Sequence, residues 1–112
     1  MGLVTQQDKF LRDVVSLLEE AWSLGFLVTG GELWRTEDQQ KIYLETGRSK
    51  TMSSNHLKRL AIDLNFFRDG DLSMGKEVLQ GLGDFWESLD EQNRWGGNWQ
   101  FYDGGHFERR EE

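Results

Sequence analysis

The segment Leu60-Ala61-Ile62-Asp63-Leu64-Asn65-Phe66-Phe67 constrains the fold more than any other stretch. Its apolar and aromatic run reads as a central strand, ended by the turn Arg68-Asp69-Gly70-Asp71. Inside that run sits an aspartate. An ionised carboxylate between Leu, Ala and Ile is costly unless it is paired or bound to a metal. The fold must therefore bring a positive partner to Asp63. The chain has two histidines. His56 lies seven residues before Asp63, and His106 lies near the other end, in Asp103-Gly104-Gly105-His106-Phe107-Glu108.

The remaining elements follow from periodicity. Phe10, Val14, Leu17, Leu18, Ala21 and Trp22 recur at helical spacing, with Thr5 as N-cap and Gly25 at the C-terminal cap. Phe26 to Trp34 reads as a strand with a glycine bulge or bend at Gly30-Gly31, and Arg35 lies at its end. Thr36-Glu37-Asp38-Gln39 has capping-box form and opens a second helix that stops near Gly47. The polar loop Arg48 to Ser54 is expected to rim a cleft. Val78, Leu79, Leu82, Phe85, Trp86 and Leu89 give a third helix, loosened by Gly81 and Gly83. Trp95 to Trp99 reads as a glycine loop, Phe101 to Glu108 as a last strand bent at Gly104-Gly105, and Arg109 to Glu112 as a charged tail that frays. Helices and strands alternate without a phosphate-binding glycine pattern. The expected fold is α+β, helices packed on a small, mostly antiparallel sheet.

At 112 residues the chain is expected to form one domain, residues 1–112. It has no cysteine, so any metal must be held by histidine and carboxylate. Its net charge is −7 and its basic residues are scattered, which argues against nucleic acid as a partner. No apolar run reaches membrane-spanning length, and the N-terminal residues lack the pattern of a secretory signal. The expectation is a monomer made in a cytoplasm.

Two imidazoles and one carboxylate form a common catalytic zinc set with one position open for water. On that reading His56, Asp63 and His106 are the candidate metal ligands. Asp103 is a candidate general base, Arg35 a candidate oxyanion partner and Glu108 a candidate orienting group. Spacing alone leaves each histidine equally open to a structural or surface role. Trp95 and Trp99 read as core residues before substrate platforms. Lys58 and Arg59 read as a solvated face, which with Arg48 and Lys50 would make the cleft locally basic.

These residues carry a resemblance. Ser54-x-His56-x4-Ala61-x-Asp63 resembles the S-x-H-x-x-G-x-A-x-D signature of the zinc D-alanyl-D-alanine peptidases. Asp103-x-x-His106-Phe107-Glu108, preceded by Trp95-Gly96-Gly97-x-Trp99-x-x-Phe101, resembles that family's closing motif. Arg35, Gln39, Tyr43 and Gly47 fall where the family has an Arg…Gln…Tyr…Gly helix, and Gln39 and Gln40 are equal candidates for its glutamine. Asp, not Glu, before the last histidine is most similar to the phage L-alanyl-D-glutamate endopeptidases. The resemblance implies a fold shared with the hedgehog signalling domain, zinc on His56, Asp63 and His106, Asp103 as base and Arg35 as transition-state contact. It also implies Ser54 and Gln39 as substrate-binding groups and the peptidoglycan stem peptide as substrate. Arg59 stands where the signature has glycine, which puts a side chain beside the expected site.

The resulting expectation is a phage lysis enzyme that resides in the host bacterial cytoplasm and acts on the cell wall after release. Its rivals are a D-Ala-D-Ala carboxypeptidase or dipeptidase, and a non-catalytic zinc-stabilised binding module.

Overall fold

The computed structural model describes residues 2–49 and 51–111. In chain order it comprises α1 (Leu3–Ser23), β1 (Leu27–Gly30), α2 (Glu37–Glu45), a 3-10 turn (Asn55–Lys58), β2 (Ala61–Arg68), β3 (Asp71–Leu72), α3 (Lys76–Leu89), β4 (Asn93–Trp95), a second 3-10 turn (Gly96–Asn98) and β5 (His106–Arg109). The strands run in the order β1-β2-β5-β4, with β3 also on β2, and every pairing is antiparallel. Three helices on a small antiparallel sheet make an α+β fold, as expected. Among the described residues no helix is long and apolar enough to cross a membrane.

The core forms where α1 and α3 lay their apolar faces against the sheet. Phe10, Val14, Leu17 and Ala21 of α1 meet Leu79, Leu82 and Trp86 of α3, with Leu60, Leu64, Phe66, Trp95 and Phe107 beneath them. Fully burying one such side chain contributes roughly 1.5–3 kcal/mol. Trp86 meets Phe10 and Phe107 edge-on, at centroid distances of 5.6 and 5.8 Å. The ring of Trp95 lies against Gly83 of α3 and against Gly97, where any Cβ would overlap it. Gly83 is thus a close-packing residue, not a loosening one.

Several boundaries differ from the sequence expectation. α1 starts two residues before Thr5, because buried Gln6 belongs to its first turn and its N–H donates to the Gly2 carbonyl at 3.2 Å. The helix ends in a Schellman arrangement, Phe26 N–H to the Ala21 carbonyl and Gly25 N–H to the Trp22 carbonyl. β1 stops at Gly30. Beyond it Gly31 N–H donates to the Asp63 carbonyl at 2.8 Å and Asp63 N–H to the Glu32 carbonyl at 2.9 Å, so two residues oppose one, as in a bulge. A Cβ on Gly31 would lie 2.9 Å from the Asp63 carbonyl oxygen, which explains the glycine there. Asp69 and Gly70, both at positive φ, close a two-residue hairpin onto β3, a strand the sequence reading took as part of the turn. β4 was hidden in a three-residue stretch.

The tail needs the largest correction. Arg109 does not fray: it is fully buried in β5 and its guanidinium pairs with Asp90 at 2.9 Å. Its partner lies beyond the end of α3, so no local pattern announced the burial.

Candidate active site and metal centre

Alternation along β2 builds the site. Leu60, Leu64 and Phe66 are buried in the core and Ile62 packs against it, while Asp63 points to the opposite face, its side chain 37% exposed. The apolar neighbours of Asp63 in sequence are therefore not its neighbours in space. Across the ladder Asp63 faces His106 of β5 as its direct partner, and Asp63 Oδ1 lies 3.2 Å from His106 Nδ1. His56 arrives from the 3-10 turn, whose N-cap Ser54 accepts a hydrogen bond from the His56 N–H at 3.2 Å. His56 Nε2 lies 3.3 Å from Asp63 Oδ2. One ligand atom from each of His56, Asp63 and His106 falls within 4.8 Å of the others.

The outer partners of the two imidazoles suit a metal. His56 Nδ1 is 3.1 Å from the Leu33 carbonyl, which only accepts, so Nδ1 carries a proton and Nε2 is the nitrogen turned to Asp63. His106 Nε2 lies 2.7 Å from Glu108 Oε1, which leaves Nδ1 facing Asp63. Glu108 also accepts from Asn55 Nδ2 at 2.8 Å, tying the 3-10 turn to β5. Carboxylate and carbonyl groups behind ligating histidines are the usual means of fixing ring orientation. The donor set thus fits a zinc ion.

The electrostatics point the same way. Burial pushes the Asp63 carboxyl up, but hydrogen bonds to His106 and His56 outweigh it and hold the group well below the usual carboxylate range. Burial pushes His106 down, yet the Asp63 and Glu108 carboxylates reverse this and raise it to about 9. In the metal-free chain a proton therefore holds the place of a cation between the two carboxylates. Asp103 lines the same pocket. The Asp103 backbone is fixed by its N–H to the Gly96 carbonyl at 3.1 Å and by its carbonyl accepting from His106 N–H at 3.1 Å. Partial desolvation, with help from the Asp63 charge, raises the Asp103 carboxyl above the ordinary range, although the positive groups around it oppose the shift.

Arg35 reaches the pocket from the end of the bulged segment, but its charge is shared. Its Nε donates to Glu32 Oε1 at 2.5 Å, and Nη2 pairs with the same carboxylate. Its Nη1 donates to Gln40 Oε1 at 2.6 Å and lies 3.4 Å from Ser54 Oγ. Tyr43 hydroxyl lies 3.3 Å from Glu32 Oε2. Gln40 is fully buried and donates onward to Ser49 Oγ and to the Thr51 carbonyl. The structure thus turns Gln40, and not Gln39, towards Arg35. Gln39 is held at N3 of α2, where its backbone N–H donates to Thr36 Oγ1 at 3.1 Å, and it does not line the pocket. One step along a helix turns a side chain by about 100°, enough to take Gln39 off the cleft.

The pocket has a volume of about 470 Å³. His56, Asp63, His106 and Asp103 line it together with Arg35, Arg48 and Ser54. Trp99 and Phe101 stand along the wall, Trp99 with its ring centre 4.9 Å from that of His106. Trp95 is core, as read, whereas Trp99 is a cleft residue. The loop between α2 and the 3-10 turn does rim the cleft. Lys58 and Arg59 do not contribute. Lys58 pairs with Glu111 at 2.8 Å, and the Arg59 guanidinium lies 4.6 Å over the Trp34 ring. Of the four cations expected to make the cleft basic, Arg48 lines it and Lys50 lies outside the described residues. Glu32 and Phe101 are site residues to which the sequence reading gives no role, and Gln40, which it holds equal with Gln39, is the one of the two that the structure turns to Arg35. Glu32 lies in an irregular segment with no period to read.

A family model described as D-alanyl-D-alanine carboxypeptidase matches residues 47–109, the span from the cleft loop to the end of β5. No curated protein matches the chain. Among solved structures the fold is similar to that of the L-Ala D-Glu endopeptidase ChiX of Serratia marcescens, with a TM-score of 0.69 and 23% identity over 88% of this chain and 79% of that one. The profile match spans His56, Asp63, Asp103 and His106 together, and the chain therefore belongs to the D-alanyl-D-alanine carboxypeptidase family of peptidases.

Proposed function

We propose that the protein is a zinc-dependent peptidase that hydrolyses the stem peptide of bacterial peptidoglycan at the L-Ala–D-Glu bond. The observation that carries this reading is the convergence of His56, Asp63, His106 and Asp103 on one pocket, with both imidazoles already oriented from behind. Zinc held by His56 Nε2, Asp63 and His106 Nδ1 would polarise the scissile carbonyl and make a water molecule a strong nucleophile near neutral pH.

The chain's own residues account for the rest. Asp103, raised by partial desolvation, accepts a proton from the attacking water and returns it to the leaving amine. Arg35 meets the negative charge that develops on the carbonyl oxygen, held in place by Glu32 and Gln40. Ser54 Oγ accepts from His56 N–H, so its hydroxyl hydrogen remains available to the substrate backbone. Trp99 offers a flat apolar wall beside His106.

The choice of bond rests on the Asp103-x-x-His106 pattern, which resembles the phage endopeptidases, and the same pattern supports a role in host lysis. The family description favours a different bond, D-Ala–D-Ala, so the test must contain both. A synthetic L-Ala-D-Glu-diamino acid-D-Ala-D-Ala peptide, acylated at its N-terminus and digested with the zinc-loaded protein, would be followed by mass spectrometry. Release of acyl-L-Ala supports the proposal, whereas release of D-Ala alone replaces it with the carboxypeptidase reading.

A further inference from the structure

The acids that line the cleft among the described residues are Asp63, Asp103 and Glu108, all at or beside the histidine cluster, whereas the loop residues Arg48, Ser49, Thr51 and Ser53 bring none. The two arginines of the pocket are not equivalent. Arg35 is ion-paired with Glu32 and also donates to Gln40 and Ser54. Arg48, among the described residues, has no carboxylate within ion-pairing distance.

Arg48 is nonetheless held. Its backbone N–H donates to the Tyr43 carbonyl at 2.8 Å, as does that of Ser49 at 3.0 Å, and its Cζ lies 5.2 Å from the Tyr43 ring centre. Arg35 Cζ lies 4.6 Å from the same ring. Two guanidinium groups thus share one aromatic ring, and one of them lacks a counter-charge. A planar anion is the ligand such a fork takes best, and a pre-positioned fork loses little freedom on binding it.

We propose that Arg48 forms a carboxylate-recognising subsite, so that the enzyme selects stem peptides bearing a free carboxylate beyond the scissile bond and discriminates against neutral ones. This rests on the stem-peptide reading above. It also accounts for how a chain of net charge −7 engages an anionic polymer: an uncompensated cation in a concave site, Arg48 among the described residues, supplies attraction without a basic surface. Two carboxylates would fit the chemistry, the α-carboxylate of the D-glutamyl residue and that of a diaminopimelate in third position.

The test uses four synthetic stem peptides: one with both carboxylates, one amidated on the D-glutamyl α-carboxyl, one with lysine in third position, and one with both changes. Each is hydrolysed by the wild-type protein and by Arg48→Gln and Arg48→Lys, with zinc binding as the control for folding. Removing the carboxylate that Arg48 reads should lower wild-type kcat/KM about tenfold, chiefly through KM, as expected for loss of a hydrogen-bonded charge. Arg48→Gln should lose the same factor on the peptide with both carboxylates and no longer distinguish that peptide from the one lacking the recognised group. Arg48→Lys should keep part of the preference. If the wild type treats all four peptides alike, or if Arg48→Gln costs one equal factor on all four, the inference is overturned while the proposed function stands. If the wild type hydrolyses none of them, the proposed function falls and this inference with it.

Discussion

Asp63 and His106 are direct partners in the β2–β5 ladder, with Asp63 Oδ1 3.2 Å from His106 Nδ1. The candidate metal centre is thus half built from sheet register. A slip of β2 by one residue would carry Asp63 into the core and its apolar neighbours onto the site face. Packing of Phe107 against Trp86 and Phe66 fixes that register, so the hydrophobic core holds the ligand geometry.

Proton and metal compete for this pair. His106 keeps its proton up to about 9 in the metal-free chain, so zinc must displace it. Zinc affinity should rise at least about tenfold per pH unit below that value and flatten above it. Competition titration between pH 6 and 8 checks this, and a flat profile contradicts it. The metal-free fold carries the opposite sign. A histidine raised from 6.5 to about 9 contributes stability that is fully present below 6.5 and lost as pH rises through 9. Thermal melting of the stripped protein should therefore fall between neutral pH and pH 10, and zinc should remove that dependence.

Glu108 holds the far nitrogen of His106 and the Asn55 amide together. Glu108→Gln should weaken zinc binding about 10- to 100-fold, the usual loss when such an orienting partner is removed. Excess zinc should recover most of the peptidase activity. A variant whose zinc affinity equals that of the wild type would remove Glu108 from the account.

Gly83→Ala forces a methyl group into the Trp95 ring. The expected cost is about 1–3 kcal/mol in urea unfolding. Activity should fall beyond the loss of folded protein, because Trp95 Nε1 donates to the Gly104 carbonyl at 2.9 Å and so anchors the Asp103–His106 segment. A fully stable Gly83→Ala would contradict the packing described.

Arg59 caps the first 3-10 turn in the left-handed region, φ 56°. That conformation, costing a non-glycine residue about 1–2 kcal/mol, is the physical reason a glycine belongs at this place in the motif. Stacking on Trp34 returns part of the cost, on the order of 0.5–1 kcal/mol. Arg59→Gly should be as stable as the wild type or up to about 1 kcal/mol more so, with kcat/KM changed less than twofold. A tenfold loss would instead place Arg59 in contact with substrate.

The fold was legible where one period runs long enough to read. The α1 and α3 faces, the capped start of α2 and the central strand are of that kind. β4, three residues long, exists because Trp95 finds Phe107 across the ladder, and Arg109 is buried because Asp90 waits at the end of another element. Both depend on tertiary pairing, which no window of sequence contains. The site was legible through its chemistry, two histidines and an aspartate in a chain without cysteine. Asp63 is less costly than its neighbours in sequence suggest. Its apolar neighbours occupy the other face of β2, and the carboxylate is part-exposed, so it pays no full burial cost. What Asp63 reports is two histidine rings converging on it. Gln40 was separable from Gln39 only once the helix face was known.

The central claim is that one zinc ion, held by His56, Asp63 and His106, makes this chain a peptidase. The most direct measurement is hydrolysis of purified peptidoglycan by metal-stripped protein titrated with zinc, with new peptide termini counted by mass spectrometry. The account predicts no products from the stripped protein, activity rising linearly to a break at one equivalent of zinc, and no recovery in His106→Ala at that equivalent. Full activity after exhaustive chelation, or a titration with no break at one equivalent, would contradict it.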